Sequence, residues 1–225
     1  MGSLQNGFLL ALSKTFRDYN KYGARSNKKL FAIHGWLAKI IKKDLGAKFD
    51  INSLGCGGER KLNGKYYPKN LDVSVAHNGG IVSTISFKFV TSNYKQNGNN
   101  YFENLLGETA NIRRVNVGFA HLLVLRSSTP YYDKNKGGLR GKQKKNEILN
   151  NHDVAKYVAL FKDNDFPHKP DVLGIVIVDI DKRGRCSFTN LGTLEIVEEN
   201  QKIILNELSL NKFIDRFNAL CRLKS

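Results

Sequence analysis

Three polar residues interrupt two short apolar stretches: Asp72 in "NLDVSVAH", and Ser86 and Lys88 in "ISFKFV". In a strand, successive side chains point to opposite faces. Leu71, Val73 and Val75 then share one face of the first stretch, opposite Asp72, Ser74 and Ala76. Ile81, Ile85, Phe87 and Phe89 share a face of the second, opposite Thr84, Ser86 and Lys88. The intervening turn decides whether the polar sides meet. A two-residue Asn78-Gly79 loop puts Asp72 across from Ile85. A three-residue Asn78-Gly79-Gly80 loop puts it across from Ser86, with Lys88 diagonal to it. Hydrophobic registry, and a glycine available for the left-handed position, select the three-residue loop. A carboxylate, a hydroxyl and an ammonium gathered this way suit phosphodiester hydrolysis. The carboxylate, helped by the backbone carbonyl of Phe87, holds Mg²⁺, an ion that prefers oxygen ligands. The lysine orients or deprotonates the attacking water and stabilises negative charge in the transition state. A salt bridge on the outer face of an amphipathic hairpin would use the same residues, and spacing alone leaves that alternative open.

These residues need a scaffold. Helical spacing marks residues 4–21 and 27–45, the second with Leu30, Ile33, Leu37, Ile40 and Ile41 on one side and Gly46 at its end. His34 and Trp36 fall inside that helix and read as packing residues. The glycine-rich stretch 52–70 reads as a loop, with room for a short strand. Strands follow at 71–76 and 81–90, then a polar loop over 91–100, a helix over 100–114 and a buried strand over 115–126. Residues 127–147 read as a long basic loop. A helix near 151–162, a buried strand at 172–180, one or two further strands and a helix over 209–222 complete the chain, with Ser209 as a candidate cap. Strands that are continuous apolar runs, mixed with helices, predict an α/β fold: a central mixed β-sheet flanked by helices on both faces. One domain over 1–225 is expected, with N-terminal helices 1–46, a catalytic core of about 50–190 and a C-terminal strand and helix over 191–225.

Asp72, followed after a turn by Ser86-Phe87-Lys88, resembles the PD-(D/E)xK nuclease superfamily of restriction endonucleases. The chain departs from that pattern twice: Leu71 precedes the aspartate where proline is usual, and Ser86 stands where the second acid usually lies. Some restriction enzymes share the S-x-K departure and take the missing carboxylate from the next helix. Here that helix offers Glu103 and Glu108, on opposite borders of its apolar stripe, so periodicity does not choose between them. The resemblance in spacing favours Glu103. It covers about residues 50–126 and implies a restriction-endonuclease-like fold, a metal held by Asp72, Glu103 and the Phe87 carbonyl, Lys88 serving the water, and Ser86 hydrogen bonding nearby. Many such nucleases also bring an upstream glutamate to the metal, a part open to Glu59. Pairing of Glu59 with Arg60 or a nearby lysine is equally consistent with its loop.

Bulk composition agrees with a nucleic-acid partner. The 225 residues carry 36 Lys and Arg against 20 Asp and Glu, a net charge of +16. Such an excess favours a polyanion, most simply double-stranded DNA, although a merely soluble basic protein has the same charge. The basic stretch 131–145 supplies Lys134, Lys136, Arg140, Lys142, Lys144 and Lys145 for phosphates, with Arg140 and Lys142 candidates for guanine edges. Asn93, Lys95, Gln96 and Asn99, beside the proposed centre, are further candidates for DNA contact. Asn97 reads as a turn former, and Arg113 and Arg114 as complements of a helix dipole. Cys56, Cys186 and Cys221 show no C-x-x-C spacing, which excludes the usual zinc and disulfide frameworks and fits a reduced cytoplasm. No apolar run is long enough for a membrane span, and the first twenty residues turn polar too early for a secretory signal. The expectation is therefore a type II restriction endonuclease, a homodimer if its site is palindromic, with a cognate methyltransferase in the same system. A structure-specific repair or recombination nuclease, and a non-catalytic nucleic-acid-binding protein, are the alternatives.

Overall fold

The computed structural model describes residues 2–134 and 140–225. Helices α1 (Ser3–Tyr22) and α2 (Phe31–Leu45) lead into β1 (Phe49–Ser53). A two-stranded ribbon, β2 (Arg60–Asn63) and β3 (Pro68–Leu71), precedes the hairpin β4 (Val73–His77) and β5 (Gly80–Phe89). After α3 (Tyr94–Arg113) come β6 (Gly118–Arg126), a second ribbon of β7 (Ser128–Lys134) and β8 (Arg140–Ile148), and α4 (Asn151–Lys162). The chain closes with β9 (Val172–Ile180), β10 (Cys186–Phe188), α5 (Glu198–Asn206) and α6 (Leu210–Leu223). The fold is α/β, with one six-stranded mixed sheet in the order β1-β4-β5-β6-β9-β10. Its centre, β5-β6-β9, is parallel, and its flanking pairs are antiparallel.

Both sheet faces are covered. Phe8, Leu12, Ile33, Leu37, Phe213 and Phe217 from α1, α2 and α6 pack on Val73, Val75, Ile85 and Phe87. Leu105 and Ile112 of α3, with Val154 and Tyr157 of α4, pack on Phe119, Leu123, Ile175 and Ile177. Two-sided cover explains why β6 and β9 read as unbroken apolar runs. Burying one leucine- or phenylalanine-sized side chain contributes about 1.5–3 kcal/mol, so these two layers dominate the stability.

Several local expectations are corrected. Residues 94–99 open helix α3 rather than forming a polar loop; Asn93 sits left-handed at its start (φ 52°) and Glu147 accepts the Lys95 N–H at 3.0 Å. Residues 128–134 and 140–148 form a ribbon rather than a loop, because Tyr131 and Tyr132 give it β-propensity. Residues 60–63 and 68–71 likewise pair as a ribbon. Among the described residues of 191–225 there is no strand; α5 occupies that place. Ser209 stands at the start of α6, but its side chain makes no capping bond. No helix among the described residues is long and apolar enough to cross a membrane.

Candidate active site

The β4–β5 turn differs from expectation, yet the register reaches the expected result. His77 pairs with Gly80, so the loop is the two residues Asn78 and Gly79, both at positive φ (49° and 82°), as the twist of such hairpins requires. Val75 pairs with Ser83 and Ala76 with Ile81, leaving Val82 as a bulge. The extra residue shifts every later pair by one. Val73 thereby pairs with Ile85, and Asp72, the next residue out, stands beside Ser86 rather than Ile85. The bulge also sends Ile81 to the α3 face and Val82 to the α2 face, so Ile81 does not share a face with Ile85 and Phe87.

Asp72 is the single residue between β3 and β4, where the chain leaves the ribbon and enters the sheet. Its Oδ2 accepts the Phe87 N–H at 2.8 Å. In extended chain the N–H and C=O of one residue point to the same edge, so the Phe87 carbonyl also faces Asp72. Across the cleft Glu108 of α3 accepts a bond from Ser86 Oγ at 3.2 Å, and Lys69 Nζ of β3 lies 3.2 Å from its other oxygen. The cleft holds about 300 Å³ and is lined by Lys69, Asp72, Ser86, Lys88, Tyr101, Glu108 and His121, among others. Glu103, favoured by spacing, lies exposed outside this lining, where its charge acts on Lys156. The helix therefore brings Glu108, not Glu103, to Ser86.

Burial works against the charges here. It raises the Asp72 carboxyl, against the Phe87 hydrogen bond and the charges of Lys69 and Lys88. It raises Glu108, against Lys69 and with Asp72. Burial and then the Lys29 charge lower the Lys88 ammonium, whose Nζ lies 4.5 Å from the centre of the Tyr101 ring. Burial opposes protonation of Lys69 too, but the charge and hydrogen bond of Glu108 outweigh it, and Lys69 is raised. His121, paired beside Ser86 on β6, is pushed down to about 3 by burial and then by Lys88 and Lys69, so it is neutral at pH 7.

Two site residues were missed in the sequence. Lys69 was hidden in a stretch read as loop; the ribbon that carries it is bolted to α3 by buried Asn111, whose Oδ1 accepts the N–H groups of Tyr66 and Tyr67 at 2.8 and 3.2 Å and whose Nδ2 donates to the Tyr67 carbonyl at 3.0 Å. His121 was one polar residue in an apolar strand, and that interruption was its only signal. Glu59 is half-buried and lies near Asp72, which helps burial to raise its carboxyl. A second cleft of about 350 Å³, lined by Tyr19, Lys29 and Thr91, shares Phe87, Lys88 and Tyr101 with the first. A larger cavity of about 410 Å³, between β9 and α5–α6, has no titratable side chain in its lining and offers no comparable chemistry.

The candidate DNA contacts are spread unevenly. Asn93 clamps β7: its Nδ2 donates to the Tyr132 carbonyl at 3.0 Å and its Oδ1 accepts the Tyr132 N–H at 3.1 Å. Lys95 lies 3.6 Å from Asp153, Asn99 accepts from Lys156 at 3.0 Å, and Asn97 donates to the Asn93 carbonyl at 3.0 Å. Those amides and Lys95 thus have partners within the chain. Gln96 and Lys142 are exposed. Lys144 pairs with Asp133 at 2.9 Å, and Lys145 lies over the Tyr131 ring. Lys136 and the side chains of Lys134 and Arg140 lie outside the described residues. No protein family, curated protein or solved structure matches the chain.

Proposed function

We propose that the protein is a metal-dependent endonuclease that hydrolyses phosphodiester bonds of double-stranded DNA, on a restriction-endonuclease-like fold. One observation carries the reading: Asp72, Ser86, Lys88 and Glu108 converge in a single cleft of a chain with net charge +16. Asp72, Glu108 and the Phe87 carbonyl form an all-oxygen donor set suited to Mg²⁺. The fit has support in the Lys69 ammonium, which already stands against Glu108 with its charge acting on Asp72. A divalent ion bound there supplies charge stabilisation to the phosphate and lowers the pKa of water.

The chain's own groups do the rest. Ser86 Oγ orients Glu108 by its hydrogen bond. Lys88, with its pKa lowered, reaches the neutral amine more readily than an ordinary lysine and accepts a proton from the attacking water. Charged, it stabilises the non-bridging oxygens as the P–O bond to the leaving group breaks. Lys29 and Lys88 line the adjoining cleft and supply charge for the next phosphate. Type II restriction at a short sequence, cytoplasmic action, a homodimer and a cognate methyltransferase belong to the same proposal.

The test is incubation of phage and plasmid DNA with the protein in Mg²⁺ and in EDTA, beside Asp72→Ala, Glu108→Ala and Lys88→Ala. Discrete fragments that need Mg²⁺ and vanish in all three variants support restriction. Cleavage confined to branched or mismatched substrates moves the reading to repair. Salt-sensitive binding without cleavage in any ion leaves a nucleic-acid-binding protein and sinks the nuclease.

A further inference from the structure

His34 lies on the apolar stripe of α2 with Ile33, Leu37 and Ile41, and it is fully buried. Neither ring nitrogen has a hydrogen-bond partner among the described residues. Buried polar groups are ordinarily bonded, and an orphaned one calls for an explanation. The ring is held edge-on to Phe87, with centroids 5.7 Å apart and planes at 83°. One of its nitrogens, a Glu59 oxygen and an Asp72 oxygen all lie within 4.8 Å of one another.

The backbone brings these three together deliberately. Ser53 Oγ donates to the His34 carbonyl at 3.2 Å, tying the end of β1 to α2. The loop beyond then lies against the helix at Gly55, which has φ 82° and where an added Cβ would stand 2.8 Å from the Phe31 carbonyl oxygen. Only a residue without a side chain fits that approach. From there the chain returns to Glu59 at the foot of β2. Asp72 is shared with the cleft, but neither His34 nor Glu59 is among the residues lining it.

We propose that His34, Glu59 and Asp72 form a second divalent-cation site, on the α2 side of Asp72, that takes a first-row transition ion of the Mn²⁺ kind in preference to Mg²⁺. One imidazole nitrogen and two carboxylates suit such an ion, whereas Mg²⁺ is bound through oxygen and water. Three ligand atoms on one such ion, at bonds of about 2.1 Å, stand roughly 3–3.6 Å apart, so a group gathered within 4.8 Å needs only small side-chain adjustments to close on it. Half-buried Glu59 gives the ion its solvent-facing side. Occupancy of the site does not depend on the nuclease reading; its effect on DNA cleavage does.

The test is Mn²⁺ binding to the full chain without DNA, followed by calorimetry and by pulsed electron paramagnetic resonance. Bound Mn²⁺ should show the nitrogen modulation of a coordinated imidazole. His34→Gln should remove that signal while His121→Asn keeps it. Glu59→Gln, in a half-buried loop, should weaken Mn²⁺ binding by about tenfold or more and serves if His34→Gln does not fold, as read by thermal melting. Bound Mn²⁺ without nitrogen coupling, or coupling that depends on His121 and not His34, overturns the site. Cleavage in Mg²⁺ together with uncoupled Mn²⁺ sinks the site and spares the nuclease. Coupled Mn²⁺ with no cleavage in any ion spares the site and sinks the nuclease.

Discussion

Two ionic clusters flank α3, and they are built on opposite principles. At its C-terminal end, Arg113 donates to Asp165 and Asp171 at 2.8 Å each and to the carbonyls of Phe166 and Lys169 at 2.8 Å. Asp171 in turn accepts the Phe119 N–H at 2.8 Å. Its partners outweigh burial and raise Arg113, and the Arg113 hydrogen bond lowers Asp165, so each ion favours the charge of the other. In the cleft the signs reverse. Burial raises Asp72 and Glu108 and lowers Lys88, pushing these three toward neutrality, while Lys69 is raised by its ion pair with Glu108. The first cluster is satisfied by its own residues and acts as a clasp between α3 and the start of β9. The second holds charges that its own residues leave incompletely compensated, the condition in which an incoming ion and phosphate gain most. Perturbed titration in a cleft is a mark of functional sites.

The largest effects should separate the two clusters by what they break. Asp72→Ala and Glu108→Ala should each cut DNA cleavage by about a thousandfold, because several kcal/mol of charge stabilisation is at stake and each decade of rate is about 1.4 kcal/mol. Thermal melting of both variants should stay near the wild type or rise, since a half-buried carboxyl whose charge is opposed by desolvation is removed. Cleavage within tenfold of the wild type in both variants breaks the comparison. Asp171→Asn should do the converse: a loss of about 2–3 kcal/mol in urea unfolding, as bonds to a charged partner are worth about 1.5–3 kcal/mol each, with cleavage little changed. A stability equal to wild type would show the clasp to be ornamental.

A pH series sharpens the contrast, and its sign follows from Asp72. With a folded pKa above the unfolded one, the folded state binds more protons across the window between them, so stability falls as pH rises through it. The penalty is complete above the folded pKa and absent below the ordinary carboxylate value of about 3.9. Asp72→Asn lacks that penalty, so its stability relative to wild type should grow from pH 4.5 to 7.5 in paired urea melts. Asp165 has the opposite sign: its contribution is present above the ordinary value and is lost as pH falls through its lowered folded pKa. A gap between wild type and Asp72→Asn that stays constant across the series would refute the buried-charge account.

Much of the sheet was legible because its signals were local. The runs 172–180 and 151–162 match β9 and α4; the first is an unbroken apolar run, and the second starts where Asp153 Oδ2 accepts the Asn150 N–H at 3.0 Å. The alternation in 71–90 placed Asp72 beside Ser86, although by a bulge at Val82 rather than by a longer turn. Both routes insert one residue, and hydrophobic registry constrains only that parity. The ribbons were less legible: their strands are short, polar and stabilised by distant partners such as Asn93 on Tyr132 and Asn111 on Tyr67. Lys69 was lost with them. Arg113 read as a helix-dipole complement, while its partners lie more than fifty residues away in sequence.

The smallest effect concerns the glutamate that spacing favoured. Glu103 and Glu108 lie on opposite borders of one helical stripe, and a helix turns 100° per residue, so only one border can face the sheet at Ser86. The stripe is fixed by Leu105, Thr109 and Ile112, which are buried against the sheet, and Asn111 ties the same helix to the β2–β3 ribbon. That orientation turns Glu108 inward and leaves Glu103 exposed near Lys156. Glu103→Gln should therefore leave cleavage within about twofold and stability within about 0.5 kcal/mol, the range of an ordinary surface substitution. A loss at Glu103 comparable to that at Glu108 would mean that α3 rotates or unwinds when DNA and metal bind. The metal would then draw its second carboxylate from the other border of the stripe, and the ion pair of Lys69 with Glu108 would belong to the resting chain alone.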